Sequence, residues 1–222
     1  MIHKTKGVVF RFTRYGETSI IVTIFTELFG LQSYMVNGIR SKNARNKIAL
    51  YQPLTLLNLV VYHRESANIE RIREASLLYP YRTLTSDIRK STLAIFLTEL
   101  MNKTIREESH TSAMFSFIAE SLVTLDELEK GYENFHLIFM LRLARNLGFG
   151  VDRVDELLGE RIADGETERL LAILITADYV TPVRMTNLQR REILDVLLRF
   201  YHRHIEQLGE IKSVQVLREI FM

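Results

Sequence analysis

Val8-Val9-Phe10-Arg11-Phe12 and Ser19-Ile20-Ile21-Val22-Thr23-Ile24-Phe25 are two runs of β-branched and aromatic residues, and Gly16 lies between them. Such runs, bounded by turn residues, are typical of β-strands. Three more follow within the first eighty residues, at 31–36, 54–62 and 69–75. Five short strands joined mainly by short turns predict a small closed barrel, and the OB-type barrel is the commonest fold of that kind that binds nucleic acid.

After Pro80 the apolar residues recur with a helical period. The predicted helices cover 86–106, 111–129, 132–147, 166–177, 186–208 and 213–221. Ser86 is the expected N-cap of the first helix, and Thr186 with Gln189 has the form of a capping box. The helix at 132–147 is apolar on nearly every side, which is typical of the middle of a bundle. The sequence thus predicts an α+β chain with a barrel domain at 1–80 and an all-α helical domain at 81–222.

Net charge is divided unevenly between these two regions. Residues 1–80 contain 11 Lys and Arg against 5 Asp and Glu, a net charge of +6, whereas residues 81–222 contain 18 against 22, a net charge of −4. No acidic residue occurs from Leu28 to Arg64. The basic residues of the loop inside this window are Arg40, Lys42, Arg45 and Lys47. A cationic stretch without counter-charges favours a polyanion over a small metabolite as its ligand.

Further candidate contacts with DNA lie on the predicted strands. Arg71 and Arg73 are two residues apart, so they are expected on one face of their strand, with Glu70 and Glu74 on the other. Arg11 is expected to extend the same positive surface.

Aromatic side chains near these cations are either core residues or platforms on which bases stack. Most of the phenylalanines are expected to fill the barrel. For Tyr34 both interpretations stay open, and we keep it among the candidate DNA-binding residues.

No residues show catalytic or metal-binding spacing. There is no cysteine, the six histidines are scattered, and no Gly-rich phosphate loop, HExxH motif or nucleophile elbow occurs. Asp152 and Asp155-Glu156 are better explained as the start of a charged helix than as a catalytic pair. His136, on the apolar helix, is expected to be a core histidine with its hydrogen bonds satisfied. We therefore expect no enzymatic activity, no metal and no cofactor.

The sequence carries no sign of a membrane or an export route. No apolar run approaches the ~20 residues that span a bilayer. The segment from Met1 to Lys6 lacks the apolar core of a signal peptide. The expectation is a cytoplasmic protein without a membrane partner.

Arg142 and Arg145 interrupt the apolar helix at 132–147. Each must reach solvent, a carboxylate or a visiting anion, because an unpaired charge is costly to bury. Two interpretations stay open. One is an internal salt bridge, and the other is an anchor for an acidic peptide that docks on neighbouring apolar surface.

Several short motifs resemble those of the RecO recombination mediator family in order and spacing. In the barrel half they are Gly16-Glu17-Thr18-Ser19, Phe25-Thr26 with Gly30, Gly38-Ile39-Arg40-Ser41-Lys42 and Gln52-Pro53-Leu54. In the helical half they are Thr98-Glu99-Leu100, Phe135, Leu147-Gly148-Phe149-Gly150-Val151 and Ile211-Lys212-Ser213 with Val216-Leu217. The resemblance spans essentially the whole chain and rests on the joint order of the motifs.

This resemblance implies an N-terminal OB fold, a helical domain and a role in DNA repair and recombination. Family members bind single- and double-stranded DNA and anneal complementary strands. They act with RecR, and in some pathways RecF, to load RecA onto DNA coated by single-strand-binding protein. The expected location is therefore the cytoplasm, in association with the nucleoid.

The resemblance also ranks the candidate residues. The motif from Gly38 to Lys42 matches the family's DNA-contacting stretch, so Arg40 and Lys42 come first, followed by Arg45 and Lys47. The family's helical domain receives the acidic, Phe-ended tail of single-strand-binding protein. That property favours the peptide-anchor interpretation of Arg142 and Arg145.

One departure from the family pattern concerns zinc. Many members carry four cysteines after a segment like Leu147–Gly150, whereas 151–165 here are short and contain none. The resemblance therefore does not imply a zinc site in this chain. The helical domain is then expected to be held by its apolar core alone.

Two other functions stay open at this point. One is a helical protein–protein adaptor whose barrel is only structural, which would show no salt-dependent DNA binding. The other is a transcription regulator that inserts the helix at 188–208 into the major groove. The basic residues of that helix are Arg190, Arg191, Arg199 and Arg203.

Overall fold

The computed structural model describes residues 1–39, 48–64, 67–106, 111–160 and 162–221. The chain divides into two compact units. The barrel unit comprises Met1–Tyr81 with Ile105–Val123, and the helical unit comprises Arg82–Thr104 with Thr124–Met222. The first boundary lies one residue after the predicted break, whereas 105–123, expected in the helical domain, group with the barrel.

Five strands form a closed barrel. They are β1 (Ile2–Tyr15), β2 (Ser19–Thr26), β3 (Gly30–Val36), β4 (Leu56–Tyr62) and β5 (Glu70–Leu77). The strand order around the barrel is β1-β2-β3-β5-β4. All neighbours are antiparallel except β3 and β5, which are parallel. This arrangement confirms the OB-type barrel.

Strand β1 is much longer than predicted because its first half pairs with β4 and its second half with β2. Gly7 lies where the two pairings meet. A Cβ atom at this position would stand 2.6 Å from Ile24 Cγ2 and 2.9 Å from Leu59 Cδ1, so a side chain here would have to displace side chains of the barrel core. An irregularity between Val9 and Arg11 then leaves Val9 in the core and Arg11 exposed.

The barrel interior is filled by aliphatic and aromatic side chains. They are Val9, Ile20, Val22, Ile24, Tyr34, Ile39, Tyr51, Leu57, Leu59 and Val61. Phe10 and Phe25 are also buried, although they lie outside this cluster, and their rings stack with centroids 5.9 Å apart. Apolar side chains outside the barrel interior need a cover. The helical segment that belongs to the barrel unit also has buried apolar residues, such as Ile118 and Leu122.

Seven α-helices follow the barrel within the described ranges. They are α1 (Ile88–Thr104), α2 (Thr111–Glu127), α3 (Phe135–Asn146), α4 (Val154–Leu158), α5 (Gly165–Thr176), α6 (Asn187–His204) and α7 (Ser213–Phe221). Helix α3 packs against α1, α5 and α6, which confirms its predicted place in the middle of the bundle. Helix α4 contains Asp155 and Glu156, which were expected to start a charged helix, but its bounds were not predicted, because five residues are too few to show an apolar period.

The N-terminus of α6 has the predicted capping box. Thr186 Oγ1 accepts a hydrogen bond from the Gln189 amide at 3.2 Å, and Gln189 Oε1 accepts one from the Thr186 amide at 2.8 Å. Two otherwise unpaired amides are satisfied by this reciprocal contact.

The predicted cap of α1 is wrong by one residue. Asp87 Oδ1 accepts hydrogen bonds from the amides of Lys90 at 3.0 Å and Arg89 at 2.8 Å. These contacts, led by the one from Lys90, hold the pKa of Asp87 below its ordinary value. Ser86 instead donates to a carbonyl of the preceding turn. A carboxylate is favoured over a hydroxyl here because it also interacts with the positive end of the helix dipole.

Asp126, near the end of α2, is a buried carboxylate that fixes the first residues of the helical unit. Its oxygens accept hydrogen bonds from the amides of Arg82, Thr83 and Leu84 at 2.9, 2.8 and 2.7 Å. The Asp126 carbonyl accepts a further one from Nζ of the buried Lys90 at 2.8 Å.

Glu99 on α1 caps the distant helix α7. Its carboxylate accepts from the Lys212 amide at 3.0 Å and from the Ser213 amide and hydroxyl at 2.8 and 2.6 Å. Burial raises the pKa of Glu99, but the hydrogen bonds from Ser213 and Lys212 outweigh it and hold the pKa below its ordinary value. Together with Asp126, this contact shows that the apolar core alone does not hold the helical unit, contrary to expectation.

Candidate nucleic-acid interface

The basic segment singled out by the sequence lies outside the described residues. It contains Arg40, Lys42, Arg45 and Lys47. Its flanking residues are anchored, because Ile39 and Ile48 both pack against the barrel core and Ile39 is 1% exposed. Gly38 turns the chain at the end of β3 with a φ of 67°, a conformation that favours glycine. The barrel core therefore extends to the described residues on either side of the segment.

Arg11 lies on the exposed side of β1. Its Nε donates a hydrogen bond of 3.4 Å to Thr23 Oγ1 on the neighbouring strand β2. The contact orients the guanidinium along the outer surface of the β1–β2 pair.

Arg71 and Arg73 are both exposed on β5, but the predicted division of charges between its two faces is wrong in part. Glu70 is 4% exposed, as a residue of the opposite face should be. Glu74, expected beside it, is exposed instead. Arg73 Nε lies 3.4 Å from Glu74 Oε1, so part of the positive charge is neutralised locally.

A β-bulge explains this departure. Val60 of β4 pairs with Glu74, but the next residue, Val61, pairs with Ile72. Arg73 is therefore the extra residue of the bulge, which interrupts the alternation of faces along the strand. Because of it, Arg73 and Glu74 both point outward.

Tyr34 lies in the barrel core and is 0% exposed. The interpretation as a base-stacking residue is therefore wrong, because the folded barrel offers no access to its ring. Burial, reinforced by the negative charge of Glu70 on the adjacent strand, raises the pKa of Tyr34, while the nearby Thr26 hydroxyl acts in the opposite direction. The ring remains neutral over the physiological range.

Sequence reasoning missed two surface cations, Lys4 and Lys6. They lie in the first half of β1, on its exposed face, opposite Val60 and Asn58 of β4. The alternation of two lysines with the buried Thr5 is the period-two signal that could have found them.

Arg142 on α3 is half-buried and interacts with an aromatic ring. Its guanidinium carbon lies 4.8 Å from the centroid of Tyr179, which stacks on Phe135 at 4.1 Å. Hydrogen bonds from Thr181 and, to a smaller extent, the charge of Arg142 lower the pKa of Asp178. Within the described ranges Arg142 forms no ion pair shorter than 4.0 Å.

Arg145, one turn further along α3, is exposed and paired. Its Nη2 donates to the Val151 carbonyl at 3.3 Å and to Asp152 Oδ1 at 3.4 Å. The two charged side chains are 57% and 93% exposed, so the ion pair is weak. The interpretation as an internal salt bridge therefore applies to Arg145, whereas Arg142 interacts with the aromatic ring of Tyr179.

Two family models match consecutive parts of the chain. The model of the recombination protein O N terminal matches residues 1–81, and that of the recombination protein O C terminal matches residues 85–167. The DNA repair proteins RecO of Phocaeicola vulgatus and Bacteroides fragilis are each 32% identical over 100% of both chains. That of Flavobacterium psychrophilum is 31% identical over 98% of both chains.

The chain belongs to the RecO family. The resemblance expected from the sequence motifs is therefore confirmed over both units. The same match accounts for the coexistence of an OB-type barrel and a helical unit in one chain.

The segment that carries cysteines in many RecO-family members is held here by Arg203 of α6. Its Nη2 donates to the carbonyls of Glu156 and Leu157 at 2.9 and 2.6 Å, which closes the C-terminal end of α4. The guanidinium packs over Gly159, where a Cβ atom would meet Nη1 at 1.9 Å. Among the described residues there is no group of three or more His, Cys, Asp or Glu that could hold a metal ion.

Helix α6 does not have the form of a recognition helix. Arg190 is 7% exposed, and its guanidinium donates to Asn134 Oδ1 at 2.9 Å and to the Phe221 carbonyl at 2.8 Å. Arg203 is also committed to carbonyls within the unit. A recognition helix needs its basic side chains free to reach base edges, so the structure does not favour a transcription regulator.

His136 lies in the core as predicted, but its hydrogen bonds are not satisfied. Both ring nitrogens are buried and lack a hydrogen-bond partner within the described residues. Burial and the charge of Arg190 lower the pKa of His136 to about 3, so the ring is neutral near pH 7. Among the described residues, no helix is long and apolar enough to cross a bilayer.

Proposed function

We propose that this RecO-family chain is a non-enzymatic DNA-binding mediator of recombinational repair. It would bind single- and double-stranded DNA, anneal complementary strands and help to load a recombinase onto DNA coated by single-strand-binding protein. The observation that supports this proposal best is the positive outer surface of an OB-type barrel, whose sequence also contains an acid-free basic segment between Ile39 and Ile48.

The barrel would bind DNA through its phosphates. Arg40 and Lys42 are the first proposed contacts, followed by Arg45 and Lys47, while Arg11, Arg71 and Arg73 would extend the surface along the strands. Phosphate contacts position a protein on DNA without reading its sequence. Each neutralised phosphate releases counterions, so binding should weaken steeply as salt is added.

Annealing follows from the same electrostatics. Two complementary strands repel each other through their phosphates, and a shared cationic surface reduces that repulsion while it raises their local concentration. No bond is made or broken, so annealing needs no catalytic side chain.

The helical unit would bind the acidic, Phe-ended tail of single-strand-binding protein. Arg142 supports this proposal because it is held beside Tyr179 and forms no close ion pair within the described residues. Arg145 would contribute a second charge once a peptide carboxylate displaces Asp152 from its exposed ion pair. RecR, RecF and RecA are proposed as further partners from family membership.

The DNA-binding proposal is tested by fluorescence anisotropy with a labelled single-stranded oligonucleotide across a salt series. Replacing Arg40 and Lys42 by Ala should weaken binding and lower the salt slope by about two units, because two phosphate contacts are lost. A matched control replaces Arg169 and Arg184, two exposed cations of the helical unit, by Ala and should leave the slope unchanged. Unchanged affinity in the first variant would reject the site. A wild-type chain without salt-dependent binding would instead support the adaptor alternative.

The peptide proposal is tested by titrating a fluorescent acidic peptide that ends in Phe. Arg142→Ala should weaken peptide capture while DNA affinity stays the same, because the two surfaces carry different ligands. Arg169→Ala serves as the matched control for loss of one exposed charge. A titration curve that does not respond to Arg142→Ala would reject this docking site.

A further inference from the structure

Tyr62, at the end of β4, is a large aromatic side chain on the outside of the barrel. It is 41% exposed, in contrast to Tyr34, which is 0% exposed. Phe29 and His63 stack on each other at 3.9 Å, so each uses one ring face internally. Tyr62 forms no aromatic ring contact with any other described residue, so its exposed part is not already stacked on another ring.

The strand register places cations around Tyr62. Across β4 and β5 it is paired with Arg71, and across β1 and β4 it is paired with Ile2. Lys4, two residues along β1 from Ile2, lies on the same exposed face. The ring is therefore one strand spacing from Arg71, whereas Lys4 lies one spacing across and two residues along the sheet, so the two cations are roughly 12 Å apart.

The same three strands carry a groove whose lining on β4 reaches Val60, two residues before Tyr62. It has a volume of about 610 Å³, and the residues that line it include Lys4, Lys6, Asn58 and Ser76. Its two carboxylates are already near cations: Glu27 Oε1 lies 3.8 Å from Lys6 Nζ, and Glu74 is paired with Arg73.

Lys4 and Arg71 differ from these paired cations. Neither forms an ion pair within the part of the chain that the structure describes. They are therefore the cations of this face that a phosphate can reach without displacing a carboxylate.

We propose that Tyr62 stacks on a base of single-stranded nucleic acid and that Lys4 and Arg71 bind phosphates on either side of that base. The inference rests on the proposed DNA-binding function and names a contact surface within it. A single strand that crosses β1, β4 and β5 satisfies all three contacts. Stacking is tolerant of sequence because every base has a flat face, and it adds an affinity term that salt does not weaken.

The experiment exploits the absence of tryptophan from the chain. Tyr62→Trp introduces a single reporter whose fluorescence should be quenched when labelled oligo(dT) binds, with the same midpoint as the anisotropy change. Ile173→Trp is the matched control, because Ile173 is 37% exposed, close to the value for Tyr62, and lies on α5 of the helical unit, away from the proposed DNA contacts in sequence. Its fluorescence should not respond to the oligonucleotide.

Affinity measurements separate stacking from charge. Tyr62→Ala should weaken oligo(dT) binding about tenfold with an unchanged salt slope, whereas Tyr62→Phe should bind within about twofold of wild type. Arg71→Ala should instead lower the salt slope by about one unit. Circular dichroism of each variant checks that the barrel is folded.

The outcomes distinguish this inference from the function on which it rests. Binding seen by anisotropy without quenching of Tyr62→Trp would overturn the stacking contact and leave DNA binding intact. Wild-type affinity in Tyr62→Ala would overturn it as well. A wild-type chain that fails to bind oligo(dT) at low salt would reject the proposed function itself.

Discussion

The barrel unit and the helical unit use charged residues in opposite ways. The cations of the barrel, such as Lys4 and Arg71, lie on its outer surface and leave its core apolar. In the helical unit Asp126 and Arg190 are buried, and each makes several hydrogen bonds to the polypeptide around it. The contrast teaches that buried charged groups help to fix the fold of the helical unit, whereas the cations of the barrel remain available to a ligand. The buried carboxylate of Glu70 is an exception within the barrel.

The largest expected effect is the loss of Asp126. Asp126→Ala leaves three amides at residues 82–84 without their acceptor and should lower the free energy of unfolding by about 3 kcal/mol. Urea unfolding followed by circular dichroism measures this change. Asp152→Ala removes a carboxylate whose side chain is 93% exposed and should cost less than about 0.5 kcal/mol. Equal effects of the two substitutions would contradict the contrast between the units.

The cap on α7 should have the next largest effect. Glu99→Ala removes the acceptor of the Ser213 and Lys212 amides and should destabilise the chain by about 1–2 kcal/mol. Because the pKa of Glu99 is lowered in the folded state, its contribution is present above the ordinary pKa and is lost as the pH falls through the folded value. Unfolding in urea at neutral and acidic pH measures both effects.

Glu210→Ala is the matched control for the cap, because Glu210 is exposed and lies just before α7. It should change the free energy of unfolding by less than about 0.5 kcal/mol. A Glu99→Ala variant as stable as this control would show that the cap contributes nothing.

The buried histidine should also make stability depend on pH, in this case because a neutral group is buried rather than a charged one. His136 has a folded pKa of about 3, below its ordinary value of 6.5, so the unfolded chain binds a proton first as the pH falls. Between about pH 7.5 and about pH 5.5 this linkage should cost about 1.4 kcal/mol of stability. The loss should begin near pH 6.5 and be complete near pH 3. His136→Phe should flatten this part of the profile, whereas the exposed His202→Phe should retain it.

The smallest expected effect on stability belongs to the barrel cations. Replacing Lys4 and Arg71 by Ala should change the free energy of unfolding by less than about 0.5 kcal/mol, because neither side chain is paired or buried in the described structure. The same double variant should lower the salt slope of DNA binding by about two units. If the double variant were strongly destabilised but bound DNA as well as wild type, the barrel cations would serve stability rather than a ligand, and the contrast between the two units would be wrong.

Much of the barrel could be predicted from the sequence because the residues that indicate a strand lie within the strand itself and the turns beside it. Runs of β-branched and aromatic residues between turn residues indicated all five strands. The bulge at Arg73 could not be predicted, because alternation in one strand does not reveal an extra residue relative to its partner. Tyr34 was misjudged for a similar reason, since the side of β3 that faces the core depends on pairing with β2 and β5.

The helices could be predicted from the sequence equally well, but the polar contacts between them could not. A helical period shows which face of α1 is apolar, yet nothing in it indicates that Glu99 meets Ser213. The same holds for Arg190, which was weighed as a DNA-contacting residue and instead bonds to Asn134 and Phe221. Such pairs are set by tertiary packing, which determines distances between segments remote in sequence.

The contact between Glu99 and Ser213 has a consequence for biosynthesis. The partners are 114 residues apart, so Glu99 leaves the ribosome on the order of ten seconds before Ser213 at ordinary elongation rates. During that interval the nascent chain can complete its OB barrel strands, while the helical bundle still lacks its last helix. Docking of α7 should therefore be a late step of folding. A stalled nascent chain that ends before residue 211 lacks α7, so the site around Glu99 that α7 normally occupies should be accessible to chaperones and proteases.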